Sequence, residues 1–424
     1  MSDPCFRLGE DFAREMDASD PVAHFRERFF IPQTDDGKEC IYLAGHSLGL
    51  QPKSVKAYLD LELKDWARLG VEGHFHAKNP WMPYHRLLTQ QTAALVGAEP
   101  EEVVVMNSLT VNLHLMMVSF YRPTSERHKV LVERGAFPSD QYAVKSQINF
   151  HQLDPASSFL ELTPREGESC MRDEDVHEMI EREGDSIALI LLGGVNYATG
   201  QLFDMKGITE AGHRKGCVVG FDLAHAAGNV PLHLHDWGSD FGVWCSYKYL
   251  NGGPGCVGGC FVHARHASDR NVLRFAGWWG HDEKIRFNMD PNFRATAGAE
   301  GWQLSNPPIM ALAPLRASME IFEEATMNRL RAKSINLTSY LEYLLKGAGN
   351  RRFSIITPSD GARRGSQLSL RISDHGRQAC DRMTGAGIIG DWRQPDIYRI
   401  AAVPLYNSYH DAYRFVQQFV TALA

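Results

Sequence analysis

The chain lacks any apolar run approaching the roughly 18 residues that a membrane-crossing helix needs. Its longest run, around 187–192, has the length of a strand. It also lacks an excess of positive charge: 44 Lys and Arg stand against 51 Asp and Glu, for a net charge of −7. A broad nucleic-acid face is not expected, because phosphate backbones are held by dense Lys and Arg patches. The opening residues Met1-Ser2-Asp3-Pro4-Cys5-Phe6-Arg7 have no basic segment followed by an apolar one, so no secretory leader is expected. The eight cysteines follow no framework spacing, which points to reduced thiols in the cytoplasm. Cys256 and Cys260 stand four apart, but no second Cys/His pair completes a tetrahedral set, and nothing ties His233 and His235 to them. No metal is expected. The chain has no G-x-x-x-x-G-K-[ST] phosphate loop. Gly253, Gly255 and Gly258 match G-x-G-x-x-G, yet strand-like residues 259–262 follow where a dinucleotide site needs a helix.

What is present is ordinary globular material. Of 424 residues, 44% are hydrophobic and 22% charged, enough for a large core and two domains. Short apolar, often β-branched runs at 103–106, 130–132, 187–192, 217–221, 241–245 and 256–262 alternate with helical periods. That pattern predicts an α/β layer with a mainly parallel central sheet. Pro307-Pro308 interrupts it. Beyond, Leu312, Leu315, Met319 and Phe322 set a helical period over about 309–346, with Pro314 as a kink or a first-turn residue. Strand-like segments at 368–372 and 397–403 and a helix from about 410 complete a smaller α+β unit. The expected organisation is an N-terminal segment 1–55 packing with the small domain, a large domain 56–308 and a small domain 309–424.

The chemistry concentrates around Ser246-Tyr247-Lys248-Tyr249, a lysine just beyond an apolar run and just before a glycine-rich turn. Upstream, the run 217–221 ends in Asp222-Leu223-Ala224-His225. A lysine amine forms a Schiff base with an aldehyde, and an aspartate keeps a pyridine nitrogen protonated, so the pair suits pyridoxal phosphate. Taken singly, each residue is also what a surface turn or a helix cap would use. Asn107-Ser108-Leu109-Thr110 follows one apolar run and opens a helical stretch, which suits either an anion site or simple capping. Phe137-Pro138-Ser139-Asp140 offers an aromatic face and a carboxylate, or a proline turn with an aspartate cap. Arg399 lies within the apolar run 397–403, where a guanidinium needs an anionic partner, either a ligand or an internal acid.

The blocks LAGHSLGLQPKSV (43–55), NSLTVNLH (107–114), FPSDQY (137–142), GVNYATGQ (194–201), FDLAHAAGNV (221–230), HDWGSDFGVWCSYKYLNGGPG (235–255), GWWGH (277–281), LSNPPI (304–309) and YRIAAVPLYNSYHD (398–411) span nearly the whole chain. Together they resemble the kynureninases, class V enzymes of the fold-type I pyridoxal-phosphate transferase-like architecture. The resemblance implies hydrolysis of L-kynurenine, or its ring-hydroxylated form, to anthranilate, or 3-hydroxyanthranilate, and L-alanine in tryptophan breakdown. It implies that Lys248 carries the cofactor, Asp222 pairs with the pyridinium and Tyr247 serves in proton transfer. Leu109, Thr110, Phe137, Pro138, Ser139, Asp140 and His225 would complete the cofactor site. A homodimer with shared sites is implied, Trp278 and Asn306 arriving from the neighbouring subunit. His74, Ser47, Ser305 and Asn306 would meet the substrate, and Arg399 would clamp its α-carboxylate. His46 departs from the asparagine common at its position. A tyrosine, not the histidine of desulfurases, precedes Lys248. The rivals are a cysteine desulfurase, whose nucleophile here would be Cys380, an aminotransferase, and a non-catalytic binding protein of the same fold.

Overall fold

A computed structural model describes residues 6–267, 269, 271–349 and 352–423. Residues 1–5, on which much of the leader reading rested, lie outside this set. In chain order the strands are β1 Ile41–Tyr42, β2 Val103–Val105, β3 Lys129–Glu133, β4 Phe159–Leu162, β5 Ile187–Gly193, β6 Val218–Asp222, β7 Phe241–Cys245, β8 Gly258–Val262, β9 Phe353–Ile355, β10 Gln367–Ile372, β11 Ile388–Ile389, β12 Asp391–Arg393 and β13 Ile397–Ala401.

Seven of them form one sheet, in the order β2-β8-β7-β6-β5-β3-β4. Only β8 runs against its neighbours; β4, β3, β5, β6 and β7 are parallel. The α/β expectation holds, and the reason is visible in the side chains. Val130, Val132, Leu189 and Leu191 pack on one face, and Leu131, Ile190, Leu192, Val219 and Phe221 on the other. With helices covering both faces, inward and outward positions are equally apolar, which is why these strands read as continuous runs.

A four-stranded antiparallel sheet, β12-β13-β10-β9, carries the separate core of the carboxyl-terminal part. The helix Glu10–Ala18 packs against the last helix, Tyr409–Leu423, and β1 pairs in parallel with β11. The single long helix expected over 309–346 is instead two, Ile309–Ala325 and Met327–Gly347, broken at Thr326 with φ 58°. The helix absorbs Pro314, and the break falls on a β-branched residue that carries no sequence signal for one.

The loop 44–49 ties the amino-terminal segment to the large sheet's functional edge. Gly49 donates its N–H to the Tyr247 carbonyl at 2.8 Å. A Cβ on Gly49 would collide with the Lys248 carbonyl and the Asn251 side chain. Since the obstacle is backbone, Gly49→Ala must displace the turn that carries Lys248. It should cost about 1–3 kcal/mol, as overpacking does, read as a lower thermal unfolding midpoint; an unchanged midpoint would show that the loop is free to yield.

Candidate functional site

Parallel strands deliver their carboxyl ends to one edge of the sheet, the place where open α/β sheets bind ligands. Here Glu133 ends β3, Gly193 ends β5 and Asp222 ends β6, while Lys248 lies three residues beyond β7. They line a cleft of about 160 Å³ together with Leu109, Thr110, Phe137, Ser139, Asp140, Val195, Tyr197, Ala224, His225 and Tyr247.

One end of the cleft is built for an anion. The helices Leu109–Phe120 and Pro138–Phe150 both begin there, and no side chain caps either of them. Pro138 has no N–H and the Asp140 N–H donates to the Phe137 carbonyl at 2.9 Å, so the helix from Leu109 offers more free donors than the one from Pro138, while both helix dipoles add positive potential. Thr110 Oγ1 lies 2.9 Å from Ser139 Oγ, so the two helix starts are joined by hydroxyls that also face the cleft. Asn107, at φ 50°, makes the sharp exit from β2 into the first helix, a conformation asparagine tolerates better than most residues.

The same cleft gathers acids. Asp140, in the first turn of the second helix, meets Asp222, and Glu133 stands behind them. Burial, then the Asp222 charge, pushes the Asp140 carboxyl well above the carboxylate range. Burial likewise raises Glu133 to about 7, against a hydrogen bond from Asn196 and with a push from Asp222. Asp222 Oδ1 accepts the Ala224 N–H at 2.7 Å, so the strand-end cap and a ligand-facing role coexist. Asp140 Oδ1 is buried without a hydrogen-bond partner. An acceptor of this kind, beside a second carboxylate, calls for a cationic N–H donor.

The amine lines this cleft too. Lys248 Nζ is 3.2 Å from His225 Nε2. Burial and the Lys248 charge hold the His225 imidazole well below its usual pKa, so it faces the amine as a neutral ring. Lys248 Nζ lies 5.9 Å from the Phe137 ring, which meets Tyr197 edge-on at 5.2 Å. Burial raises the Tyr247 phenol above its usual range, keeping its proton in place. An anion-binding helix start, a group of acids and an amine gathered in one cleft match in kind the phosphate, pyridine nitrogen and aldehyde of pyridoxal phosphate.

Behind Tyr197 and His225 is a second polar cluster. Arg399 is 1% exposed. It donates to the Tyr197 carbonyl at 2.8 Å and to Asp391 Oδ2, its cross-strand neighbour on β12. The internal acid considered as its alternative partner is therefore Asp391. Arg393 also reaches Asp391 Oδ2, at 3.0 Å, and His46 Nε2 stands 3.6 Å from the same oxygen. His46 is fully buried, and burial together with Arg399 lowers its pKa to about 3.

Several expected residues lie apart from the cleft. Trp278 is 40% exposed, and Ser305 and Asn306 are exposed. The ring of His74 packs against Trp81 at 5.4 Å, and Ser47 sits half-buried on the loop that carries His46. Pro138 is the first residue of its helix and serves the site through that start. Glu133, Tyr197 and Asp391 were not anticipated. Glu133 carried a usable signal, an acid closing a buried strand as Asp222 does. Asp391 carried none, since only the pairing of β12 with β13 brings it to Arg399.

Two other groups are explained without ligands. Among the described residues Glu102, His235 and His263 are close enough to hold a cation. The Glu102 carboxylate, however, already accepts N–H bonds from Glu99, Ala264 and His235. Cys380 is buried within the helix Gly376–Gly385, and burial pushes its thiol up to about 12, the opposite of a nucleophile.

A family model described as the kynureninase C-terminal domain matches residues 330–419. A kynureninase of Koribacter versatilis is 66% identical over 100% of both chains, and one of Myxococcus xanthus is 59% identical over 97% of both. Among solved structures, an apo cysteine desulfurase of Thermococcus onnurineus superposes with a TM-score of 0.74 at 16% identity, covering 93% of this chain and 96% of that one. A C-DES variant with glycine covalently linked to its PLP cofactor gives 0.75 at 15% identity, covering 90% and 96%. At such identities the structural likeness speaks for the fold alone.

The raised Glu133 carboxyl makes stability depend on pH in a set direction. Between its ordinary value of 4.5 and its folded value of about 7, the unfolded chain releases this proton while the folded chain retains it. Rising pH in that window therefore removes stability. Glu133→Gln has no such proton, so its unfolding midpoint relative to the parent should climb from pH 4.5 to 7 and then level. A difference that stays flat with pH would mean that Glu133 is ionised in the folded protein.

Proposed function

The chain belongs to the kynureninase family, and from that premise we propose that its cleft hydrolyses L-kynurenine, or the 3-hydroxy form, to the corresponding anthranilate and L-alanine with pyridoxal 5'-phosphate. The observation that carries this reading is the convergence in one cleft of the Lys248 amine, the Asp140–Asp222 pair and the two uncapped helix starts. When bound, the cofactor supplies an aldehyde for amines and a ring that accepts electron density released at the substrate carbons.

The protein's own part is positioning and proton transfer. Leu109, Thr110, Ser139 and the helix start at Pro138 hold the phosphate, and Phe137 covers one face of the ring. Asp222, with Asp140 beside it, keeps the ring nitrogen protonated. Lys248 would hold the cofactor aldehyde and would take the proton from Cα, with neutral His225 steadying its amine at 3.2 Å. Tyr247 retains its proton and serves the carbon that becomes the alanine methyl. Water adds to the carbonyl that leaves with the aromatic ring. Arg399 takes the α-carboxylate, a role that suits a planar fork of donors.

The site is proposed to be completed in a homodimer, Trp278 and Asn306 coming from the second copy and His74, Ser47 and Ser305 meeting the substrate. Exposed Trp66, Phe75, Phe275, Phe287 and Trp278 give the surface an apolar supply for that contact. A cytoplasmic setting agrees with free thiols at every described cysteine, and no helix among the described residues is long and apolar enough to cross a membrane.

Purified protein given L-kynurenine should yield anthranilate and alanine in equal amounts, and no sulfur from L-cysteine; Lys248→Ala should abolish both turnover and the visible absorbance of the bound cofactor. Retained hydrolysis in that variant would remove Lys248 from its role. Mixing inactive Lys248→Ala and Asn306→Ala subunits should restore activity, as one site per mixed dimer keeps both residues. No recovery despite demonstrated subunit exchange would count against shared sites. Arg399→Leu should raise KM for kynurenine by the equivalent of about 2–4 kcal/mol, the range for a truncated charge pair, with the cofactor absorbance intact. An equal loss for an analogue lacking the carboxylate would make Arg399 a purely internal partner of Asp391.

A further inference from the structure

Arg399 has two claimants. Its buried guanidinium is already held by Asp391 Oδ2, across the β12–β13 pair, and by the Tyr197 carbonyl at 2.8 Å. Its Nε is buried with no partner. A substrate carboxylate approaching past Tyr197 therefore meets a cation whose charge is balanced in advance. Two carboxylates on one buried guanidinium repel each other strongly in a medium of low dielectric.

Asp391 has somewhere else to go. Arg393 reaches its Oδ2 at 3.0 Å, and His46 Nε2 stands 3.6 Å away, just beyond a hydrogen bond. Both ring nitrogens of His46 and the Nε of Arg393 are buried without hydrogen-bond partners. A buried imidazole with no partner is costly, and a shift of the Asp391 carboxylate by a fraction of an ångström would satisfy it. The setting permits such a shift, because β12 is the edge strand of its sheet and only half-buried, whereas β13 is interior. The contact with a neutral imidazole N–H needs no change of protonation.

We propose that Asp391 is an internal competitor for the substrate's α-carboxylate: it holds Arg399 in place while the site is free and passes to His46 and Arg393 when the substrate arrives. Asp391 and His46 are positioning residues acting through Arg399. They set how tightly the site holds any α-amino acid, including the alanine it must release. This rests on Arg399 being the carboxylate clamp.

The test compares L-alanine with L-alaninamide, which differ only in the carboxylate, by titrating the visible absorbance of the holoenzyme. Asp391→Asn keeps the shape and removes the competing charge. It should bind L-alanine about tenfold more tightly or better, on the scale of charge-pair effects in buried sites, with L-alaninamide unchanged. His46→Phe removes the waiting donor and should bind L-alanine several-fold more weakly, again with the amide unchanged. A role in merely bracing the fold would move both ligands together. Weaker or unchanged alanine binding in Asp391→Asn overturns the proposal. Should Asp391→Asn not fold, His46→Phe decides, and unchanged alanine binding there overturns it. Arg399→Leu separates the two levels: if it does not discriminate alanine from alaninamide, the clamp itself is wrong. If it does while Asp391→Asn fails to tighten, only the competitor is wrong.

Discussion

Three carboxyl groups, Asp140, Asp222 and Glu133, meet at the buried end of one cleft, and this crowding organises the site. Like charges in a low-dielectric pocket cannot all be ionised unless a cation joins them. Burial and the neighbouring charges push Asp140 and Glu133 toward their protonated forms. The remaining demand is for a positive N–H facing the unpartnered Asp140 oxygen. A pyridine nitrogen held in its protonated form meets it, and that same protonation makes the ring an electron acceptor. The electrostatic problem of the pocket and the chemical need of the reaction are thus one matter.

The sheet makes the crowding possible. Because β3, β5 and β6 are parallel and adjacent, three strand ends terminate side by side, and two of them carry acids. The helices that cover the sheet start at the same edge, so the potential that draws a phosphate enters the same cleft as the carboxylates. Lys248 is fixed there by a turn whose backbone is gripped by Gly49, a residue 199 positions earlier in the sequence by difference of residue numbers. The same loop carries His46 into the second cluster, so the amino-terminal segment serves both the amine and the Arg399–Asp391 cluster.

Much of this could be read from the residues. The large-sheet strands were legible because burial on both faces turns them into unbroken apolar runs. Lys248, Asp222, Thr110 and Asp140 were legible because each follows a strand at a fixed offset. Asp391 was not, since its importance comes from cross-strand register. The break at Thr326 was not, because tertiary packing forces a left-handed backbone on a residue with no preference for it. Trp278, Asn306, Ser305 and His74 were legible only through family resemblance, and a single chain does not bring them to the cleft.

The most direct measurement is the dissociation constant of pyridoxal 5'-phosphate for the apo chain and for Asp222→Ala, taken from the growth of visible absorbance. If the acidic end holds the protonated ring nitrogen, removing Asp222 should weaken binding at least about tenfold, roughly 1.4 kcal/mol. Asp140 would remain as a partial substitute. Unchanged affinity and unchanged kynurenine turnover would contradict the account and leave Asp222 as nothing more than a strand-end cap.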